Sequence, residues 1–223
     1  MNRAAIREFD KMCDSLSTLN AQFAYRLMNL CVKSEPVSLL PIVVIIEGEL
    51  QKLEECAHIS KDDDYTFKVF ANYSSDIPAV AQGIFKAHPE FKQEMFNQEV
   101  EYVDEDGEER VDQVPYILLT MPEVDDERYD VLKDSVKVVY EDTKVKMENV
   151  VVNADVKIAE LMAGESEADI EKVKKARDKQ VKTWTEQRDK IYNEKIAEVE
   201  EAHRKWQAEE AERRLESLKN IKN

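Results

Sequence analysis

The sequence contains few of the residues that build loop-rich or cross-linked proteins. Its 223 residues include only four glycines and six prolines, whereas 36% are charged, a composition that favours long helices over a turn-rich β protein. The three cysteines form an odd set without paired spacing, which argues against a disulfide framework or a zinc cage. No run approaches the roughly 18 apolar residues of a membrane span, and the N-terminal residues lack a signal-peptide core. We therefore expect a soluble, cytoplasmic protein with no membrane partner.

Positive charge is scarce in the middle of the chain. The formal net charge is −16, and residues 36–122 carry 18 acidic but only 6 basic side chains. A general attraction to nucleic acid is therefore disfavoured there, and we expect no DNA partner. A local basic face on the flanking helical parts remains open.

The residue patterns of catalytic sites are also missing. The three histidines, His58, His88 and His203, are scattered, and no Ser/His/Asp or Cys/His spacing stands out. Four glycines do not support a phosphate-cradling loop. The sequence therefore predicts no enzyme, no bound metal and no cofactor.

The sequence does contain one long uninterrupted helical segment, residues 125–163. It contains neither Gly nor Pro, with Pro122 before it and Gly164 after it, so we predict one helix of about 38 residues. Apolar residues recur along it at steps that suit one packed face: Leu132, Val136, Val139, Met147, Val150, Ala154, Ile158 and Leu161. Residues 3–31 have a similar near-heptad pattern. A third helix follows a capping pattern at Ser166 and continues to about residue 215.

Residues between the first two helices change to strand patterns. Three short apolar or alternating runs predict strands, and a helix is predicted from Pro78 to before Pro89. Residues 98–112, eight of which are acidic, predict two short strands around an Asp106-Gly107 turn. The predicted fold class is α+β: a long antiparallel three-helix bundle, residues 1–34 and 122–223, with a small β/α domain, residues 35–121, inserted between helices one and two.

This layout, and the residues in it, resemble the ribosome recycling factor family. The strongest match covers residues 42–84, with the Ile-Val-Val strand, Gly48, the Thr66-x-Lys68 strand and the Pro78 helix start. A second match runs from Pro122 to Lys157 along the long helix, and in all the resemblance covers most of residues 5–200. The acidic hairpin and the tail after about residue 205 lie outside the family's usual pattern.

The resemblance implies an L-shaped translation factor, which we expect to be a monomer. Family members bind the ribosome, lay the bundle against large-subunit rRNA and, with elongation factor G, split post-termination complexes. They act as a lever with a hinge and do no covalent chemistry. The implied hinge residues lie in the two connections between the domains: Ser34, Glu35, Pro36, Met121, Pro122 and Glu123.

The family register also assigns an rRNA-facing set, in which several family arginines are replaced. This set comprises Lys33, Lys144, Glu148, Val151 and Val152. Glu148 in a phosphate-facing position removes an attraction and adds a repulsion. A shifted basic strip, Lys133, Lys137, Lys144, Lys146 and Lys157, is one replacement, and an ordinary solvated face is the other interpretation. Because three consecutive valines cannot all face one core, at least one of Val150, Val151 and Val152 should point outwards.

Two functions follow from these observations. The first is a working ribosome recycling factor. The second is a divergent paralogue that acts as a ribosome-associated regulator or protein-binding module without recycling activity. The missing arginines, the acidic hairpin and the net charge favour the second, but the recycling factor is the function that we predict first. The hairpin itself is either solvated or a projection that binds a protein partner or mimics nucleic acid.

Overall fold

The structure, a computed structural model, describes residues 2–103 and 109–221. The chain forms two compact units, Met1–Leu30 with Asp125–Asn223, and Cys31–Val124. The inserted unit is thus slightly longer than residues 35–121, and Cys31 and Met121 are both buried in its core.

One long helix begins the chain, the strands and two shorter helices follow, and two long helices end it. In chain order they are α1 (Arg3–Met28), β1 (Val43–Ile46), β2 (Glu49–Lys52), α2 (Leu53–Cys56), β3 (Ala57–Lys61), β4 (Thr66–Ala71), α3 (Ile77–Ala87), β5 (Lys92–Val103), β6 (Glu109–Thr120), α4 (Asp126–Leu161) and α5 (Glu167–Ile221). Within the described residues, no helix has an apolar stretch long enough to cross a membrane.

The three long helices begin at side chains that cap them. The carbonyl oxygen of the Asn2 side chain accepts the Ala4 N–H at 2.9 Å, and Asp125 accepts the Arg128 N–H at 2.8 Å. Ser166 Oγ accepts the Asp169 N–H at 3.2 Å, as the capping pattern predicts. These caps satisfy backbone donors that a helix start otherwise leaves unpaired.

The helices α1, α4 and α5 pack pairwise as an antiparallel bundle, which confirms the predicted fold class. The Asn2 side chain donates to the Leu161 carbonyl at 2.7 Å, whereas Arg26 at the other end of α1 bonds to Asp142. On the other side of α4, Tyr140 Oη donates to Asp189 at 2.8 Å. The residue numbers on α1 rise as those on α4 fall, so the two helices run in opposite directions.

The predicted packed face of α4 is confirmed. Leu132, Val136, Met147, Ala154 and Ile158 are buried. The remaining three, Val139, Val150 and Leu161, are partly buried against the same clusters. The apolar spacing on α4 therefore identifies the side that faces the bundle core.

The inserted unit contains a four-stranded antiparallel sheet in the order β3-β4-β6-β5, together with a separate β1-β2 hairpin. Its core includes Phe67, Val80, Ile84 and Leu119, which are fully buried. The helix predicted from Pro78 is confirmed as α3 and covers β1.

The hairpin of β5 and β6 is longer than predicted. Each strand has twelve residues, paired from Lys92 with Thr120 to Val103 with Glu109. The prediction of two short strands within residues 98–112 is wrong, because the acidic segment continues without a break into the apolar run before Pro122. Pro115 is tolerated since β4 pairs only with residues 117–120, which leaves one side of β6 unpaired at Pro115. The predicted Asp106-Gly107 turn lies outside the described residues.

Candidate functional site

Four of the residues that the family register assigns to the rRNA-facing set lie on α4, and they differ in exposure. Lys144 and Val151 are half-buried, with Val151 packed against the bundle core. Glu148 and Val152 are exposed, so Val152 is the valine that points outwards, as predicted. Lys33, the fifth residue of the set, lies in the inserted unit and is half-buried. Of the residues in this set, α4 therefore contributes a single cation, Lys144, and that side chain is half-buried.

The residues of the predicted shifted basic strip lie on both flanks of α4. On the α5 side, Lys133 Nζ donates to Tyr129 Oη at 3.1 Å, and this bond raises the pKa of Lys133. Burial opposes a lower pKa at Asp189 of α5, but hydrogen bonds from Arg188 and Tyr140 lower it, and the charge of nearby Lys144 adds a smaller effect. Lys137 is exposed and has no ion-pair partner among the described residues.

The other two lysines of that strip lie on the α1 side. Lys146 pairs with Asp142 at 2.8 Å, and Lys157 lies 3.8 Å from Glu8 of α1. Asp142 also accepts a hydrogen bond from Arg26, and the Lys146 and Arg26 bonds lower its pKa. The structure thus does not bring the five lysines into one strip.

The predicted hinge residues Ser34 and Met121 are both buried and both bonded to the turn between β3 and β4. The Ser34 N–H donates to the Asp64 carbonyl at 3.0 Å, and Ser34 Oγ donates to the Asp63 carbonyl. The Met121 N–H donates to the Tyr65 carbonyl at 2.8 Å. The remaining predicted hinge residues are Glu35 and Glu123, which are exposed, and Pro36 and Pro122, which are half-buried. Both connections are thereby anchored within the inserted unit.

A basic surface that sequence reasoning missed lies on the first part of α5. Residues 172–190 carry eight Lys or Arg and three Asp or Glu, in a chain whose net charge is −16. Exposed lysines recur there at steps of three, four and eight residues, which places them on one side of the helix: Lys172, Lys175, Lys179, Lys182 and Lys190. We call these five residues the basic face, and their span of 18 residues corresponds to roughly 27 Å along the helix.

The cations of the basic face remain available to a ligand. Lys179 has no ion-pair partner in the part of the chain that the structure describes. The other four form ion pairs at 3.4–3.7 Å with acids of the same helix: Lys172 with Asp169, Lys175 with Glu171, Lys182 with Glu186 and Lys190 with Glu194. Exposed pairs of this kind contribute at most about 1 kcal/mol, so a phosphate can replace them. The spacing of these lysines was the available sequence signal, but the family register directs attention to α4.

The acidic hairpin presents charged and apolar side chains together. On β5, Glu99 and Glu101 are exposed beside Val100 and Tyr102. Glu99 accepts a hydrogen bond from the Gln113 amide at 2.8 Å. This composition suits contact with a protein surface rather than with phosphate groups.

The three histidines stand in separate environments. His58 is exposed on β3, His88 is buried against Phe91, and His203 is buried in the bundle against Tyr129. Among the residues that the structure describes, no group of three or more His, Cys, Asp or Glu side chains is placed to hold a metal ion.

The structure thus has the layout of a three-helix bundle with an inserted β unit, and one bundle helix carries a basic face. The chain belongs to the ribosome recycling factor family, whose model matches residues 28–199. It is similar to a solution structure of a ribosome recycling factor, with a TM-score of 0.69 and 15% identity over 90% of this chain and all of that one.

A second similar structure is that of the T. thermophilus ribosome recycling factor, from a set of models in which this factor and the E. coli elongation factor G are bound to the E. coli post-termination complex. The TM-score is 0.55 and the identity is 16%, over 89% of this chain and 99% of that one. At these identities the two structures establish the fold. Comparison with curated protein sequences yields no match.

Proposed function

We propose that this protein is a ribosome recycling factor that binds the ribosome and, with elongation factor G, helps to split post-termination complexes in the cytoplasm. The observation that carries this proposal is the family match over residues 28–199, which includes residues of both units. The related factor of known structure is described on a post-termination complex together with elongation factor G. The protein would act through binding and movement, without covalent chemistry of its own.

In this proposal the basic face of α5 supplies phosphate contacts that α4 lacks. On α4, Glu148, Val151 and Val152 stand where the family register expects cations. The five lysines of the basic face are exposed and regularly spaced along one side of α5. Because lysine contacts to phosphate give most of the affinity of sequence-independent RNA binding, this face is the better candidate for rRNA.

The movement that the proposal requires takes place at the two connections between the units. Ser34 and Met121 are hydrogen-bonded to one turn of the inserted unit, so bending at these two residues would break buried hydrogen bonds. We therefore infer a pivot just outside them, at the unit boundaries after Leu30 and after Val124.

The experiment that tests ribosome binding is co-sedimentation with ribosomes across a salt series, followed by a subunit-splitting assay with elongation factor G. The Lys175→Glu/Lys179→Glu variant should bind more weakly, with the slope of log K against log salt flatter by about two units, since about one unit is lost per phosphate contact. Arg214→Glu/Lys219→Glu, an equal charge reversal on exposed residues near the end of α5, should leave the slope unchanged.

Two further measurements separate the alternatives. If α5 has replaced α4 as the rRNA contact, Glu148→Arg should not change ribosome binding. Tighter binding by this variant would instead show that α4 contacts the rRNA. No binding of the unaltered chain at low salt would overturn the proposal, and binding without subunit splitting would favour a regulator that lacks recycling activity.

We also propose the acidic hairpin as a separate contact for a protein partner in subunit splitting. Its strands β5 and β6 project exposed acids and apolar residues beyond the part of the sheet that pairs with β4. Replacing residues 99–112 by a two-residue turn should preserve ribosome co-sedimentation but slow splitting with elongation factor G. An unchanged splitting rate would show that the hairpin is only a solvated extension.

A further inference from the structure

Helix α4 carries apolar residues on its outer side as well as on the side that faces the bundle. These outer residues include Val131, Val138, Val145 and Val152, which are between 53% and 65% exposed. They recur at every seventh residue and form a single file along 21 residues of helix, about 32 Å. A bundle helix normally has polar residues on its solvent side, so this file requires an explanation.

A second file, of acids, follows one flank of the valines. Asp134, Glu141 and Glu148 each stand three residues after a valine, so they share one angular offset from the valine file. All three are exposed. Lys144 Nζ lies 3.9 Å from Glu141 Oε2, whereas Asp134 and Glu148 have no ion-pair partner among the described residues. We call the four valines with these three acids the valine–acid face.

The charge of this face argues against two kinds of occupant. RNA is disfavoured, because the acids would lie against phosphate groups. A second copy in antiparallel symmetric packing would place the two acidic files against each other. In a parallel pair the acids would meet the opposite flank, where Ser135, Asp142 and Asn149 carry no positive charge and the neighbouring Lys146 is already paired with Asp142 at 2.8 Å.

We propose that the valine–acid face binds an amphipathic helix of another protein. That helix would have apolar side chains at seven-residue spacing and Lys or Arg along one edge. β-Branched residues at heptad spacing form the seam of helix pairs, and charges beside the seam select the partner and its orientation. The partner's cations would face Asp134, Glu141 and Glu148. This inference goes beyond ribosome recycling and does not depend on recycling activity.

The test uses two helical peptides of 21 residues with identical apolar seams, one edged with lysine and one with glutamate. Fluorescence anisotropy measures the affinity of the full chain for each peptide. The lysine-edged peptide should bind at least about tenfold more tightly, because its charges complement the acids. Glu141→Lys/Glu148→Lys should reverse this preference, and Val138→Ser/Val145→Ser should weaken binding of the lysine-edged peptide about tenfold or more by removing apolar contact.

A matched reversal elsewhere, Glu212→Lys/Glu216→Lys on the exposed end of α5, should leave the preference unchanged. Circular dichroism of each variant verifies that the helices remain folded. Equal affinity for the two peptides, or a preference that survives the α4 reversal, would overturn the inference. Two other results would overturn it. One is that the chain forms a concentration-dependent dimer that Val138→Ser/Val145→Ser abolishes. The other is that the chain binds an RNA hairpin that the lysine-edged peptide displaces.

Discussion

Gly83 lies where helix α3 packs directly on strand β1. A Cβ atom added there would stand 2.9 Å from Val44 Cγ2 and 3.1 Å from the Val43 carbonyl oxygen. The first distance is closer than Cβ atoms approach their neighbours, and the second atom belongs to backbone that cannot turn away. The position therefore requires a residue without a side chain, although glycine is a poor helix former.

We expect Gly83→Ala to lower the free energy of unfolding by a net amount of about 1 kcal/mol. Overpacking of a core costs about 1–3 kcal/mol, and the gain in helix propensity offsets about 1 kcal/mol of it. Urea titration followed by circular dichroism gives the difference. Gln82→Ala, at the exposed neighbouring position, is the control and should not destabilise the protein. A more stable Gly83→Ala variant would show that β1 moves away without cost.

Asn20 shows what local patterns leave out at the residue scale. The apolar spacing of α1 predicts its seam on either side of Asn20 but gives this polar residue no role. In the structure Asn20 is buried, and its amide nitrogen donates to the carbonyl of Trp184 at 3.0 Å. Because that carbonyl is 164 positions further along the chain, no local pattern could reveal the partner.

At the scale of elements, Asp142 links α4 to α1. It accepts hydrogen bonds from Lys146 on its own helix and from Arg26 on α1, and these lower its pKa in the folded state. A carboxyl whose pKa is lower in the folded state stabilises the fold above its unfolded pKa of about 3.9. That contribution is lost as the pH falls through the folded pKa.

We therefore expect Asp142→Asn to lower the Tm at neutral pH, and this difference should disappear as the pH is lowered from about 4 to about 2. Thermal unfolding followed by circular dichroism across that range measures the difference. Asp134→Asn removes an exposed carboxylate without an ion-pair partner among the described residues, so it should show no comparable pH dependence. If the Tm of Asp142→Asn stayed lower than that of the unaltered chain at low pH, the loss of the Asp142 charge would not be the cause of the difference.

The sequence predicted the bounds of α4 and the start of α3 closely. Pro122 and Gly164 bracket α4, and Pro78 starts α3, because proline and glycine act through local backbone geometry. The length of the β5–β6 hairpin was predicted less well. The acidic residues from Glu99 onwards suggested a separate short hairpin, whereas strand pairing continues through them regardless of charge.

For the whole molecule, helix periodicity and the family resemblance together predicted the bundle with its inserted β/α unit. The outward surfaces were harder to predict, because exposure depends on how three helices share one core. Val138 and Val145 resemble core residues in sequence but lie outside, whereas Thr143 lies inside. The lysine spacing of the basic face is visible in the sequence, but only the structure shows that this side of α5 faces solvent.

The insertion of residues 31–124 between α1 and its partner helices also determines which parts of the chain can fold first during synthesis. The inserted unit is contiguous, so all of its strands are available soon after synthesis passes Val124. In contrast, Phe23 of α1 packs near Tyr140 of α4 and Tyr192 of α5. At about 5–20 residues per second, synthesis of the roughly 160 residues between Cys31 and Tyr192 takes about 8–32 s. Once Val124 has been made, the nascent chain carries a completed β unit behind a helix whose apolar seam still lacks its full set of partners. This is when the chain most needs protection from aggregation.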